Sequence, residues 1–532
     1  MPAFTPDERA RLAPHFTDLD GPVFGLTALP EVVKGALFAR YSRSSKSLRR
    51  LFLDEFASVS EGTLPEAGEG GDVDVARAEK LYERVFLEYG DDSVAQLGGV
   101  HLAVEDASQL LAKVLERGRL AGYLEQSTRY IPYDARPFRY HVPAEIEDAR
   151  LAARYRAVLD DAFERYARWL EPTQAFYRER FPQDPADPDG VYRATIRAKA
   201  LDTLRPMLPV ATRTNIGIYA SAQSFEQLLL RMRGHPLAEM RGCADLMLGE
   251  LRKLIPAFLT RVDAPDRGGA WTEYLSKARS DTAAVASELL AGIEPEPRPE
   301  VTLVEWDPDA EVKIVAAALY EAGGLPDDQL LDVARALPGD DRARVLAAYV
   351  GPRGNRRHRP GRAFERAGYR FDVLCDYGAF RDLQRHRMLT IQWQRITPDH
   401  GFELAADVRE VGAEEDWRAV MDASGELYTD LLGAYGPDVA QYAVSMAYRI
   451  RFAMQMNARE ALHLVELRSS PQGHPVYRRI AQEMHRLIRD VAGHGALAEA
   501  MSFVDHGSVD LERLEAERRA EAKRRALDAS GP

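Results

Sequence analysis

Two short stretches decide how this chain is read: YLEQSTRYIPYD, residues Tyr123 to Asp134, and LQRHRMLTIQW, residues Leu383 to Trp393. If the first is extended, alternate side chains point the same way, so Glu125, Ser127 and Arg129 share one face. A carboxylate, a hydroxyl and a guanidinium in that order can bond a base edge, a sugar and a phosphate. Tyr130 ends the run, and Pro132 would interrupt a continuing ladder. The plainer reading is a surface strand with an ordinary Glu–Arg pair. In the second stretch Arg385, His386 and Arg387 stand together. Three basic groups after an amphipathic segment suit a pyrophosphate or a nucleotide phosphate. The plainer reading is a solvated basic turn. HRPGR, His358 to Arg362, shows that the chain uses basic clusters elsewhere.

Outward from these stretches, the two halves present a similar order of events. VEDASQLLAKVLERGR has Val104, Ala107, Leu111 and Val114 at helical spacing and runs into Arg117-Gly118-Arg119. FDVLCDYGAFRDLQRHR has Val373, Tyr377 and Phe380 on one helical face and runs into Arg385-His386-Arg387. Further along, LLLRMRGHP (Leu228 to Pro236) and HLVELRSSPQGHP (His463 to Pro475) each end a helical segment near Gly-His-Pro. Ordered matches at similar separations are the mark of an internal duplication. Between the halves, AGIEPEPRPEVTLVEWDPD is rich in Pro and Glu and interrupts helical patterning, as linkers do. The expected organisation is a first repeat over 1–285, a linker over 286–310, a second repeat over 311–505 and a charged tail over 506–532. That tail reads as a solvated helix that frays.

MNAREALHLVELR carries a third candidate. On a helix, Asn457 and Arg468 would fall within about 20° of each other, roughly 16 Å apart along the axis. One face could then touch one ligand at each end, while Leu462 and Val465 pack inward. The plainer reading is a core helix with satisfied polar groups. Arg205, at the head of RPMLP, is uninformative alone.

Composition narrows the class. At 532 residues the chain has material for two or three domains, and 45% hydrophobic with 29% charged residues is ordinary for a globular protein. No apolar run approaches the ~18–20 residues that span a bilayer, and the start, MPAFTPDERARLAPHF, does not read as a secretory signal. Cys243 and Cys375 give no disulfide framework, suit a reducing cytoplasm and read as buried structural thiols. A net charge of −13 tells against broad nucleic-acid binding, so an anionic ligand would need a local basic pocket. There is no Walker-type loop, no G-x-G-x-x-G after a strand, and no CxxC or HExxH metal motif.

Together these pieces resemble the flavin-dependent thymidylate synthases, over roughly residues 80–260 and 350–490. The family motif R-H-R-x-x-S-x-N-E-x-S-x-R-Y is split. In the first half GDDSVAQL (Gly90 to Leu97) stands where the family has G-H-x-S-x-x-E-H, with Asp91, Gln96 and Leu97 in place of His, Glu and His. Arg117-Gly118-Arg119 has lost the histidine, whereas Glu125, Ser127, Arg129 and Tyr130 match, and Arg205 matches R-x-x-L-P. The terminal arginine of the later signature would be Arg231 or Arg233. The second half is the converse. Arg385, His386 and Arg387 match, while Trp393, Arg395, Thr397 and Pro398 replace the E, S, R and Y, and Gln441 replaces the arginine of R-x-x-L-P. Asn457, Arg459, His463 and Arg468 then match N-x-R-x-x-x-[NH]-x-x-x-x-R.

The resemblance implies an α+β fold: two tandem copies of a twisted antiparallel sheet flanked by long helices, helix-rich overall. Members of the family are homotetramers with sites between subunits, so the fused chain is expected to fold as a pseudo-dimer and to pair again as a homodimer. The implied reaction is reductive methylation of dUMP to dTMP, with methylenetetrahydrofolate giving the carbon and FAD passing on electrons from NADPH. Composite sites would take Glu125, Ser127, Arg129 and Arg205 for the nucleotide. Arg385, His386, Arg387, Asn457, Arg459 and His463 would hold the flavin. Arg468 would hold the uracil and stabilise charge on its ring. No metal, nucleic acid or membrane partner is implied. Two readings stay open beside it: a catalytically degenerate homologue that binds flavin or nucleotide without turnover, and a flavoenzyme or RNA-associated protein of another kind.

Overall fold

The computed structural model describes residues 4–42, 44–57, 96–134, 139–508 and 514–530. Asp91 and the rest of Gly90 to Ala95, singled out above, lie outside the described residues. Seven strands are described: β1 (Gly99–Ser108), β2 (Ala121–Glu125), β3 (Arg213–Ser221), β4 (Val301–Trp306), β5 (Gly368–Asp376), β6 (Thr390–Trp393) and β7 (Arg449–Asn457). The helices that matter for the site are α1 (Gln109–Leu115), α2 (Ala149–Arg180), α3 (Asp189–Leu204), α4 (Ala222–Arg233), α5 (Ala238–Leu254), α6 (Ala270–Leu289), α7 (Tyr377–Gln384), α8 (Glu414–Ala440), α9 (Ala458–Arg468), α10 (Pro475–Asp490) and α11 (Leu514–Ser530). The chain is thus helix-rich, with two antiparallel sheets, as the α+β expectation required. Among the described residues no helix is long and apolar enough to cross a membrane.

Contacts divide the chain into two compact units. One comprises Met1–Ala107, Val114–Glu125 and Asn215–Ile293. Its sheet has the order β1-β3-β2, with Ala121 to Glu125 of β2 antiparallel to Ala220 to Ile216 of β3. The apolar face of α4, with Phe225, Leu228, Leu229 and Met232, is buried, and α5 packs beside it. The other unit comprises Ser108–Lys113, Gln126–Thr214 and Glu294–Pro532. Its sheet has the order β4-β5-β7-β6, so β5-β7-β6 repeats the order of the first sheet and β4 extends one edge. β5 and β7 pair along their whole length, from Gly368 opposite Asn457 to Asp376 opposite Arg449. Phe371, Val373, Phe452 and Met454 bury one face of this ladder, as the period-2 alternation of a strand with one buried face demands.

Four junctions follow one plan, in which a strand ends on a polar residue whose side chain caps the next helix. Ser108 Oγ accepts from the Leu111 amide at 3.0 Å and Asp376 Oδ1 from the Ala379 amide at 3.0 Å. Ser221 Oγ accepts from the Ser224 amide at 3.3 Å and Asn457 Oδ1 from the Glu460 amide at 2.9 Å. Each satisfies an otherwise orphaned donor of the first turn. The helical spacing read over Val104 to Val114 and Val373 to Phe380 therefore straddles a strand and a helix. Val104, Ala107 and Val373 lie on strands, because sheet pairing outweighs a short-range period. Asn457 likewise stands before its helix rather than on it, so the Asn457–Arg468 face expected from helical geometry is not formed as such.

The second unit itself contains chain from both halves. α2 packs on α8, where Asp416 accepts from Trp169 Nε1 at 2.8 Å and pairs with Arg165. Gly436, at φ +80°, breaks α8 ahead of Pro437. Between these helices and the sheet, the chain after Arg205 meets the chain after Gln441. The Val210 amide donates to the Val444 carbonyl, and the Met446 amide donates to the Leu208 carbonyl, both at 2.8 Å. Pro209 faces Ser445. Val210 and Met446 hold the same place, five residues after Arg205 and Gln441, so exchanging the two halves maps one bond onto the other. The Gln109 amide donates to the Val210 carbonyl and the Tyr377 amide to the Met446 carbonyl, and these too are related by that exchange. A local two-fold of this kind is what an isologous contact becomes when its two copies are fused. α6 ends at Leu289, Ile293 to Glu300 form neither helix nor strand, and β4 follows. In the tail, Arg518 of α11 donates to both carboxylate oxygens of Asp187, from Nε at 2.5 Å and from Nη2 at 2.8 Å.

Candidate functional site

The second unit gathers a buried arginine cluster. Asp382, in the last turn of α7, is its centre. Arg129 Nη2 lies 2.8 Å from Asp382 Oδ2. Arg385 Nη1 and Arg468 Nη1 lie 3.5 and 3.9 Å from Oδ1. Three of the arginines singled out in the sequence, one from the first half and two from the second, therefore converge on one carboxylate within one chain. Arg129 also sits 3.2 Å from Asp202 Oδ1, and Arg205, where α3 ends, lies 3.5 Å from the same oxygen. Arg205 Nη1 and Arg381 Nη2 both reach Thr128 Oγ1, at 3.1 and 3.3 Å. The Tyr477 ring of α10 lies under both Arg129 and Arg468, 5.6 and 5.4 Å from ring centre to guanidinium carbon.

Charge explains what this arrangement can hold. Five guanidinium groups surround the carboxylates of Asp202 and Asp382, so the excess is positive. Burial alone would raise the Asp382 pKa, but Arg129, Arg385 and Arg468 hold it well below the usual carboxylate range. Burial likewise opposes the Arg129 charge, and Asp202 and Asp382 more than restore it. Arg205 is less well compensated. Burial pushes its pKa down to about 10, and its Nε and Nη2 are buried with no partner among the described residues. Orphaned guanidinium donors are costly unless an anion completes them.

Beside this cluster, His386 is wholly committed inside the protein. Its Nδ1 lies 2.8 Å from Glu460 Oε1, and its Nε2 accepts from Arg468 Nε at 2.9 Å. That pairing assigns the proton to Nδ1. Burial first, then the Arg468 charge, press the imidazole pKa well below its ordinary value, so it is neutral. His463 stands next to it, with ring centres 5.3 Å apart, its pKa lowered to about 4 by burial and then by His386. His386, Glu460 and His463 place ligand atoms within 4.8 Å of one another, the spacing of a metal group. The Arg468 guanidinium against His386 opposes a cation there.

The remaining sequence candidates are distributed as follows. Glu125 ends β2 opposite Ile216, in the first unit. The strand does not continue through Arg129. Ser127 Oγ accepts from the Arg129 amide at 3.3 Å, and Thr128 to Tyr130 turn, so Glu125, Ser127 and Arg129 do not share one strand face. Arg385 and Arg387 are exposed at the end of α7. Arg459 Nε donates to the Pro360 carbonyl at 2.9 Å, and Asn457 is spent on capping α9. Asp202, Arg381, Asp382, Glu460 and Tyr477 were not foreseen. Asp382 three residues before Arg385 was the available signal, since i,i+3 pairs meet on a helix. Cys243 is half-buried and Cys375 buried, and burial pushes the first thiol up to about 12 and the second well above its ordinary value. Neither serves as a thiolate.

The model of the thymidylate synthase complementing protein family matches residues 36–257 and again 302–493. The chain belongs to that family, the flavin-dependent thymidylate synthases, as a two-repeat member. A UPF0159 protein from Chlamydia pneumoniae is 37% identical over 525 residues, covering 97% of this chain and 98% of its own. A flavin-dependent thymidylate synthase from Clostridium tetani is 25% identical over 173 residues, 32% of this chain and 66% of its own. A crystal structure of flavin-dependent thymidylate synthase from Helicobacter pylori complexed with FAD and dUMP matches at a TM-score of 0.27 and 20% identity, over 39% of this chain and 98% of that one. A match that weak adds nothing to the fold assignment. In this thymidylate synthase complementing protein family member, Arg129 and Arg205 lie in the first matched segment and Asp382, Arg385 and Arg468 in the second. The strand order common to the two sheets is the three-dimensional counterpart of the double match.

Proposed function

We propose that the chain is an FAD-dependent thymidylate synthase that converts dUMP to dTMP with methylenetetrahydrofolate and NADPH, at sites built from both repeats. The observation that carries this reading is the convergence of Arg129, Arg385 and Arg468 on Asp382. A site assembled from complementary halves explains why each repeat keeps only part of the motif.

The donor set fits both ligands. The unsatisfied Arg205 nitrogens beside Arg129 fit the phosphate of dUMP, with Ser127 as a further substrate contact. The exposed Arg385 and Arg387, with Arg459, His463 and Asn457 nearby in the chain's second repeat, fit a flavin's pyrophosphate. Bound FAD would supply the electrons from NADPH, chemistry that no side chain here can provide. The protein's part is binding and polarisation. Arg468 acts on the uracil ring, stabilising negative charge as it develops. His386 acts through Arg468: as a neutral acceptor fixed by Glu460, it sets the direction of that guanidinium. No cysteine attacks the base. The chain works as a homodimer.

The test is tritium release from 5-³H-dUMP by purified protein with the folate and NADPH, alongside its visible spectrum. Flavin absorbance with release supports the reading. Absorbance and dUMP binding without release leave the binding-only homologue and sink the synthase.

A further inference from the structure

The first unit holds a basic cavity of about 500 Å³, lined by Arg117, Gly118, Arg119, Arg231, Leu275 and Arg279. A smaller cavity of about 220 Å³ adjoins it, sharing Gly118, Arg119 and Arg231. Its further lining is of another character: Tyr123, Ile218 and Leu228 offer ring and aliphatic surface, and Gln223 and Gln227 offer amides. Arg117 and Arg119 hold the places that Arg385 and Arg387 hold in the second repeat. The groups around them have changed. Counting from the capping residues Ser221 and Asn457, Ser224 stands for Glu460 and Gln227 for His463, while Gly118 stands for His386. The same count puts Met232 at the place of Arg468, with Arg231 and Arg233 flanking it. The carboxylate, both imidazoles and the guanidinium of Arg468 have no counterpart at these places, while Arg117 and Arg119 remain. A Cβ at Gly118 would meet Tyr123 Oη, so any larger residue there would shift the tip of that ring's side chain. Burial first, and then the Arg117 charge, press the Arg231 pKa down, and an anion between the two would reverse that.

We propose that these adjoining cavities bind a nucleoside diphosphate, its phosphates among Arg117, Arg119, Arg231 and Arg279 and its base in the slot beside Tyr123, Gln223 and Gln227. The guanidinium groups supply forked donors for the phosphates. The slot has the mixed apolar and amide lining by which base rings are held and oriented. The site shares no residue with the Asp382 cluster and does not depend on the synthase reading: a chain that binds ADP but not dUMP would end that reading and leave this one.

The experiment is calorimetry on the full-length protein with ADP, pyrophosphate and adenosine as probes. ADP is expected to bind more tightly than pyrophosphate, with adenosine weaker than both. Arg231→Ala removes a cation, and Gln227→Glu, nearly isosteric, replaces an amide of the base slot with a carboxylate in the same cavity as Arg119 and Arg231. Each is expected to weaken ADP roughly tenfold, with the thermal melt retained in Gln227→Glu. No ADP binding, ADP no tighter than pyrophosphate, or wild-type ADP affinity in Gln227→Glu overturns the proposal. So does ADP binding that is lost in Arg385→Ala and intact in Gln227→Glu, which would assign the nucleotide to the second repeat's arginines.

Discussion

Asp382 is the residue on which the buried cluster depends. Replacing it with Asn keeps the shape and removes the charge that Arg129, Arg385 and Arg468 share. Loss of one partner from a buried ion pair costs about 3 kcal/mol, so urea unfolding of Asp382→Asn at pH 7 should show a loss of that order. Asp382 has a lowered folded pKa, so its contribution is complete above the unfolded value near ~3.9 and is lost only as pH falls through its own, still lower value. His386 works earlier on the pH scale. Its folded pKa is also lowered, but for an imidazole this means that the native state refuses a proton that the unfolded chain accepts. Stability from this group is therefore full above about pH 6.5 and falls as pH drops below it. His463, held near about 4, acts in the same direction. Denaturation curves at pH 7 and pH 5 should differ accordingly, and His386→Gln should narrow the difference. At this scale the sequence was informative about cations and silent about their counter-charges. Arg129, Arg385 and Arg468 stood out because a motif marked them. Asp382 looked like any acidic residue on an amphipathic helix, since nothing local records that α7 is buried throughout.

The recurrent element is a strand ending in a capping side chain. Ser108, Ser221, Asp376 and Asn457 are of the types that cap helices well, but the apolar spacing read over Val104 to Val114 and over Val373 to Phe380 imitated a continuous helix, and those two boundaries were missed. The two sheets were foreseen only through the family resemblance, because strands of four to ten residues beside long helices leave a weak periodic signal. Asn457 now has two assignments, a cap in the fold and a flavin contact in the proposal, and they separate experimentally. Asn457→Ala should lose about 1 kcal/mol through the cap, and Asn457→Ser should recover most of it. If the side chain also meets the flavin, Asn457→Ser should still release cofactor more readily on dilution, read as loss of visible absorbance. The pairing of Val210 with Val444 and Met446 with Leu208 makes a further prediction. Both amides lie on fully buried chain, so they should exchange with deuterium only through large-scale opening, and at similar rates.

For the whole molecule, the two repeats meet within one chain around a local two-fold. Once both copies are on one chain, each can lose what the other supplies, and the split motif follows from that freedom. The structural reason is the local two-fold through Pro209 and Ser445, which brings chain after Arg205 against chain after Gln441 and carries α7 with it. Arg129→Ala and Arg385→Ala should therefore each lower tritium release at least about a hundredfold, although they lie in different repeats. The decisive measurement is tritium release from 5-³H-dUMP by the two variants mixed in equal amounts, after unfolding and refolding together so that chains can exchange partners. Because Arg129 and Arg385 meet at Asp382 of their own chain, every site in the mixture carries a lesion, and no activity should return. Recovery of a substantial fraction of wild-type release would mean that the two arginines serve a site from different chains, contradicting the account.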